Sequence, residues 1–371
     1  MILKINNLLF IVNDKHITYL NEAHRIAKKK FGSTFPNPIV GCLIVKNNYI
    51  ISKAVTAPEG RPHAEEIALK KAGLKSKGAT MYVTLEPCFH KSRNGSCADQ
   101  ILRSGIKKIY IARHDSDKRT NKKSIHKLIN NKISTTVGLT EEKTNLLNNF
   151  FFKSLENKRP YIKVKMAISQ DQKIAWSNYD SKWISNSKSR EYAHKLRFSS
   201  QAIFTTAKTI SKDNPRFTVR KKNKIIKHLP VIIIDNSLKI SLKSNILKDI
   251  SKKRVIIFTS TKNTKYEFLK SLGCEIILLK KMKNKQLNLK TIFKKIFNLK
   301  INNILVESGG LLFSNLIKDK LLDEIHIFSA PFIIGNTGKP MIIGKKIEEL
   351  KLKEIINKKY GKDIYQFFLT K

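Results

Sequence analysis

Acidic side chains are scarce in this chain: 28 Asp and Glu stand against 73 Lys and Arg, a formal net charge of +45 over 371 residues. Taken alone, so basic a surface would argue for a nucleic-acid partner, because it gathers phosphates. The lysines are spread through every segment, however, beside an excess of asparagine and isoleucine. Such a bias reads as drift toward AT-rich codons and a solvated basic surface. No nucleic-acid-binding signature groups these lysines with aromatics on one face, so no specific nucleic-acid partner is expected. Long apolar runs are missing too. The run Leu8-Leu9-Phe10-Ile11-Val12 is too short to cross a bilayer and lacks a small-residue cleavage site. A soluble protein with no membrane partner is expected. No internal repeat joins the two halves, and the length suffices for two domains with separate cores.

Cysteine is also sparse, with Cys42, Cys88, Cys97 and Cys274 making up the whole complement. Two of these four belong to the most informative stretch, which runs through His63-Ala64-Glu65, Leu85-Glu86-Pro87-Cys88 and, eight residues further, Cys97. One imidazole and two thiolates suit a tetrahedral Zn²⁺ that keeps its fourth position for water, as catalytic sites do. Glu65 lies two residues past His63, close enough to move protons without being a ligand. The pattern follows the H-x-E and P-C signature of zinc base deaminases with a longer interval between the cysteines. With two cysteines committed to metal and no secretory signal, a reducing cytoplasm is expected.

Taken in order, Tyr19 to Lys30 carries a helical apolar face, and Gly32 ends it. Pro36-Asn37-Pro38 makes a stiff turn into a strand at Ile39 to Val45, where the short Asn37 amide could reach a substrate. A helix follows at Ala64 to Ala72, then strands at Thr80 to Thr84 and Lys108 to Ala112, with a helix beginning near Cys97. Lys132 to Gly138 and Glu141 to Leu155 read as a last strand and helix. This alternation predicts an α/β layered sheet. Asn157-Lys158-Arg159-Pro160 marks the expected boundary between domains at 14–156 and 160–371. The second half opens with the alternating strand Tyr161 to Ile168. It has no G-x-G-x-x-G, which argues against a Rossmann domain. Asn303 to Val306 reads as a strand, Glu307-Ser308-Gly309-Gly310 as a tight turn and Leu311 to Ile317 as a helix. Glycine backbone at a helix start can approach phosphate, although by itself this turn reads as ordinary turn chemistry.

Pro36-Asn37-Pro38-Ile39-Val40-Gly41-Cys42, Pro62-His63-Ala64-Glu65 and Val83-Thr84-Leu85-Glu86-Pro87-Cys88, with the interval to Cys97, resemble the bifunctional riboflavin-biosynthesis deaminase/reductase family. In the second half, Lys165-Met166-Ala167-Ile168-Ser169-Gln170-Asp171, Ser181-Lys182-Trp183-Ile184-Ser185, Ala193-His194-Lys195-Leu196-Arg197 and Asp213-Asn214-Pro215-Arg216-Phe217-Thr218-Val219-Arg220 match it in order. The resemblance covers nearly the whole chain. It implies a cytidine-deaminase-like α/β/α zinc domain followed by a dihydrofolate-reductase-like α/β domain. His63, Cys88 and Cys97 would hold zinc, with Glu65 as proton shuttle. Asn37, His90 and Arg93 would meet a pyrimidine ribotide. NADPH would lie among Ala167, Trp183, Thr209, Asp213, Asn236 and the segment Gly309, Gly310, Leu311, Leu312, Phe313, Ser314 and Asn315. Ser181, Arg197, Phe217, Arg220 and Glu307 would form the substrate side of the reductase. Hydrolytic deamination would be followed by reduction of the ribosyl group, with Lys165 or Asp171 assisting protonation. A homodimer through the reductase half is an option the sequence leaves open.

The chain departs from the family pattern at several places. Thr56 stands where a substrate-side histidine is usual, and Ser52-Lys53-Ala54 replaces a glycine-rich turn. Asn94-Gly95-Ser96 replaces Thr-Pro-Pro, and Asp115-Ser116-Asp117-Lys118 replaces Asp-Pro-Asn-Pro. Gln172 takes the place of a glycine. A nucleic-acid base deaminase would account for the zinc motif and the charge, but it leaves the second half unexplained.

Overall fold

The structure, a computed structural model, describes residues 2–5, 8–11, 14–90, 95–178, 180, 184–282, 286–344 and 350–370. The chain divides into two compact units, Met1–Asn157 and Lys158–Lys371.

In the first unit the helix Asp14–Lys28 buries Leu20, Ala23, His24 and Ala27. It starts earlier than the apolar stripe alone suggests, because Asp14 in its first turn favours the positive end of the helix dipole. Five strands lie side by side in the order Tyr49–Val55, Gly41–Lys46, Thr80–Val83, Lys108–Ile111, Ser134–Val137. Pairing is antiparallel among the first three and parallel from Thr80–Val83 onward. Asn47 and Asn48, both at positive φ, make the tight turn that creates the strand Tyr49–Val55, which the apolar pattern did not reveal. Gly41 lets the helix Asp14–Lys28 press against the sheet, since a Cβ there would fall 2.0 Å from the Ala23 carbonyl oxygen.

The second unit is built on nine strands, in the order Glu275–Leu278, Val255–Thr259, Val231–Ile234, Ala202–Thr206, Asn303–Val306, Tyr161–Ile168, Glu324–Ser329, Asp363–Thr370, Leu352–Tyr360. Pairing is parallel as far as Glu324–Ser329 and antiparallel across the last two. Val231–Ile234 reads VIII and Val255–Thr259 reads VIIFT. Continuous apolar runs of this kind belong to strands covered on both faces. Successive residues feed opposite cores: Phe204 packs with Phe293, ring centroids 5.1 Å apart, while Ile203 joins Val231 on the other face. This is the α/β class expected from the sequence. Among the described residues no helix is long and apolar enough to cross a membrane.

Candidate active sites

His63 is the N-cap of the helix Ala64–Ala72, and Cys97 opens the helix Cys97–Arg103. Both helix starts offer positive dipole ends that favour thiolate and carboxylate nearby. The second start is held by a capping box, in which Ser96 Oγ accepts from the Asp99 amide and the Asp99 carboxylate accepts from the Ser96 amide, each at 3.1 Å. Cys88 arrives on the loop after Thr80–Val83. Ligand atoms of His63, Cys88 and Cys97 lie within 4.8 Å of one another. His63 Nδ1 is 3.3 Å from Cys97 Sγ, and the Cys97 amide donates to Cys88 Sγ, also at 3.3 Å. An imidazole with two thiols is a donor set suited to zinc, and three protein donors leave a tetrahedral ion one further position. The hydrogen bond from Cys97 leads in drawing the Cys88 thiol down to about 4; burial opposes it and His63 assists. Burial raises the Glu65 carboxyl above its ordinary range, with His63 working against the rise.

His63, Glu65 and Cys88 line a cavity of about 90 Å³ together with Asn37, Thr56 and His90. Arg93 lies outside the described residues. Gly60, at φ 85°, gives Asn37 its place, because a Cβ there would fall 2.0 Å from Asn37 Nδ2. Two residues that sequence reasoning missed hold this cavity in shape. Asn148, at a kink in the helix Glu141–Asn157, accepts from the Ile39 amide at 2.8 Å and donates to the Ile39 carbonyl at 2.9 Å. It thereby fixes the strand entry just after Asn37. The buried Glu86 carboxylate accepts from the amides of Asp115 at 3.1 Å and Lys122 at 3.0 Å and from Ser124 Oγ at 2.8 Å, which ties down the loop opposite.

Asp115 also lines the cavity, and burial pushes its carboxyl up to about 7 from an ordinary 3.8. A carboxyl that ionises less readily folded than unfolded favours folding while protonated. Stability is therefore lost as pH rises from about 4 to about 7 and levels off above. Asp115→Asn keeps an oxygen to accept from the Asp117 amide, a bond of 2.9 Å in the native chain. The variant is expected to gain melting temperature over the native chain by an amount that grows between pH 5 and pH 8. A pH-independent difference in thermal melts would refute this.

The second unit holds a cavity of about 850 Å³. Ala167, Thr209, Asp213, Asn236, Gly309, Gly310, Leu311, Leu312 and Asn315 line it, as do Arg197, Phe217 and Glu307. Trp183 and Ser181 lie outside the described residues. Phe313 and Ser314 do not line it: Phe313 sits in the core, and Ser314 donates to the Gly310 carbonyl at 2.9 Å. A helix turning about 100° per residue cannot present every consecutive side chain to one ligand. Arg220 also stands outside the lining, its Nε donating to Thr218 Oγ1 at 3.1 Å. Gly309 caps the helix Gly310–Lys318, and its bare backbone meets nothing nearer than 3.9 Å where a Cβ would stand. Such a helix start opening on a cavity suits the phosphates of a dinucleotide.

Arg197 and Glu307 form a forked pair, Nε to Oε1 at 2.6 Å and Nη2 to Oε2 at 2.9 Å. Burial works to raise Glu307, but Arg197 outweighs it and holds the carboxyl below its usual range. Lys165 lines the same cavity, and burial lowers its ammonium against the pull of Glu307. Asp171 is engaged elsewhere, accepting from Ser169 Oγ at 2.6 Å and from the amides of Ile334 at 3.0 Å and Gly335 at 2.8 Å.

The profile of the RibD C-terminal domain matches residues 160–365, and that of the cytidine and deoxycytidylate deaminase zinc-binding region matches residues 13–113. Riboflavin biosynthesis protein RibD of Aquifex aeolicus is 38% identical over 353 residues, covering 94% of this chain and 97% of that protein. The chain belongs to the RibD family. RibD of Acinetobacter baumannii superposes with a TM-score of 0.88 at 28% identity, over 96% of this chain and 99% of that one. The diaminohydroxyphosphoribosylaminopyrimidine deaminase/5-amino-6-(5-phosphoribosylamino)uracil reductase of Thermotoga maritima superposes with a TM-score of 0.85 at 28% identity, with the same coverage. As a RibD family member this is a bifunctional enzyme of riboflavin biosynthesis, a deaminase and a reductase, with zinc and NADPH as cofactors.

Proposed function

We propose that residues 14–156 deaminate 2,5-diamino-6-(5-phosphoribosylamino)pyrimidin-4-one hydrolytically and that residues 160–371 then reduce the ribosyl group of the product. The end product is 5-amino-6-(5-phosphoribitylamino)uracil. The observation that carries this reading is one chain holding both the His63, Cys88 and Cys97 cluster beside buried Glu65 and a cavity large enough for a dinucleotide.

In the first unit zinc, when bound by His63, Cys88 and Cys97, supplies an acidified water. Glu65 takes a proton from the attacking water and passes one to the leaving ammonia. Asn37 and His90 orient the pyrimidine. In the second unit NADPH, when bound along the Gly309 helix start, supplies the hydride. Glu307, kept ionised by Arg197, accepts hydrogen bonds from sugar hydroxyls. Lys165 gives a proton to the ring oxygen as the sugar opens.

The test follows ammonia and NADPH together on the diaminopyrimidine ribotide. Ammonia release without NADPH, and NADPH consumption only as deaminated product accumulates, is the expected order. No ammonia from the ribotide would end the deaminase assignment. The metal reading has its own test, since Cys88→Ser should bring zinc from about one equivalent to a small fraction by elemental analysis. Equal zinc in both proteins would remove Cys88 from the ligand set.

The cysteines are all free, which supports a reducing cytoplasm. The scatter of lysines supports weak, salt-sensitive adsorption to nucleic acid in place of specific binding. A homodimer through the reductase half belongs to the same reading, and sedimentation of the full chain tests it.

A further inference from the structure

We propose that His194 is a positioning residue of the reductase, whose neutral imidazole holds the strand Thr218–Lys221 against the helix Ser187–Phe198 and so sets one wall of the cavity; this rests on the reductase reading above. His194 lines the cavity of about 850 Å³. It stands three residues before Arg197, on the same face of the helix. The strand Thr218–Lys221 pairs with one strand only, Lys224–His228. Backbone groups on its other edge need partners too, and the helix supplies them from side chains. The Arg220 amide donates to His194 Nδ1 at 3.2 Å, and Arg197 Nη1 donates to the Thr218 carbonyl at 3.1 Å. Just before this strand, Phe217 lines the cavity at φ 48°, with the Arg197 guanidinium carbon 5.6 Å from its ring centroid. A bulky side chain on left-handed backbone persists only where its surroundings fix it. The two bonds at Thr218 and Arg220 do that fixing.

The bond from Arg220 exists in one protonation state alone. A neutral imidazole accepts at Nδ1 while Nε2 carries the proton, whereas an imidazolium only donates. Protonation therefore breaks the bond, and the carbonyl in reach of the ring, that of Thr218, already accepts from Arg197. Charged groups face the ring from every side. Arg190 and Arg197 stand on its own helix and Arg220 on the strand, while Lys227 of the paired strand holds its ammonium 5.7 Å from the Phe198 ring centroid. Lys165, Asp213 and Glu307 complete the set from the cavity lining, and Glu307 is committed to Arg197. Burial leads in holding the imidazole below its ordinary range; Arg197 and Arg220 add to this, and Glu307 and the Thr218 carbonyl oppose it. His194 is thus neutral at ordinary pH and the strand is held. As pH falls through the lowered value the ring charges, the bond is lost and substrate affinity falls with it.

The experiment follows NADPH consumption by the full chain on the deaminated ribotide from about pH 8 to about pH 5, with NADPH binding measured separately by fluorescence. His194→Phe keeps a ring without an acceptor. It should raise KM for the ribotide on the order of tenfold at neutral pH, as loss of one hydrogen bond to a buried group implies, with kcat changed much less. His194→Asn returns an amide oxygen that accepts and does not titrate. It should recover most of the KM and show a shallower rise of KM toward acid than wild type. The substrate phosphate titrates at about pH 6 for every variant, so the difference between curves is the readout. NADPH affinity near that of wild type reports a folded second unit. A His194→Phe chain that binds NADPH normally and keeps the wild-type KM overturns the proposal, and so does a His194→Asn chain whose KM climbs toward acid as steeply as that of wild type. Should His194→Phe fail to fold, the His194→Asn curve decides alone. A wild-type chain that consumes no NADPH on the deaminated ribotide defeats the reductase reading instead.

Discussion

Glu65→Gln is expected to cut ammonia release by a factor on the order of 10² to 10⁴, the usual range for a lost general acid–base group. Glutamine keeps the shape of the side chain but cannot carry a proton. Glu65 is buried at the start of the helix Ala64–Ala72, and burial raises its carboxyl toward the range where proton exchange is easy. Glu65 is not part of the His63, Cys88 and Cys97 cluster proposed to hold zinc, so zinc content should stay near that of wild type. NADPH consumption on pre-deaminated substrate should also be retained, since the reductase cavity is lined by residues of the other unit. Ammonia release at the wild-type rate would show that another residue carries the proton.

The second large effect is expected in the reductase half. Lys165→Met should lower NADPH consumption on the deaminated ribotide by about 10² to 10⁴ while ammonia release continues. The ammonium lines the cavity beside Glu307, and methionine fills a similar volume without a proton to give. Burial lowers the Lys165 ammonium, opposed by Glu307, so the alkaline fall of the reductase rate should set in at lower pH than an ordinary lysine would give. Asp171→Asn is the contrasting case. That carboxylate is engaged with the amides of Ile334 and Gly335 away from the cavity lining, and the variant should keep its NADPH consumption. Loss of reductase in Asp171→Asn together with survival in Lys165→Met would reverse the assignment.

The cluster of His63, Cys88 and Cys97 was legible in the sequence because each sits at a local landmark. His63 precedes a helix, Cys97 begins one, and Cys88 follows a strand and a proline. The strands Tyr161–Ile168 and Asn303–Val306 were legible for the same reason, as periodic or apolar runs ended by turns. Strands such as Val231–Ile234 and Glu275–Leu278 were not read individually, since a short apolar run without a flanking motif fits a buried helix as well as a strand.

What the sequence by itself determined was the chemistry: an imidazole, two thiolates and a carboxylate at spacings that suit zinc, joined to a half without a Rossmann fingerprint. Only the tertiary structure decided which other side chains share those cavities. Asn148 braces Ile39 across 109 residues, and Arg197 meets Glu307 across 110. Arg61 and Arg119 reach one cavity from separate loops. Spacing along a chain carries no information about such pairs, because their distance is set by how the sheet and helices pack and not by the number of bonds between them. Lys165 and Asp171 show the same limit within one segment: both stand in the motif, but the strand Tyr161–Ile168 carries only the first into the cavity, while the turn beyond it ties the second to backbone amides.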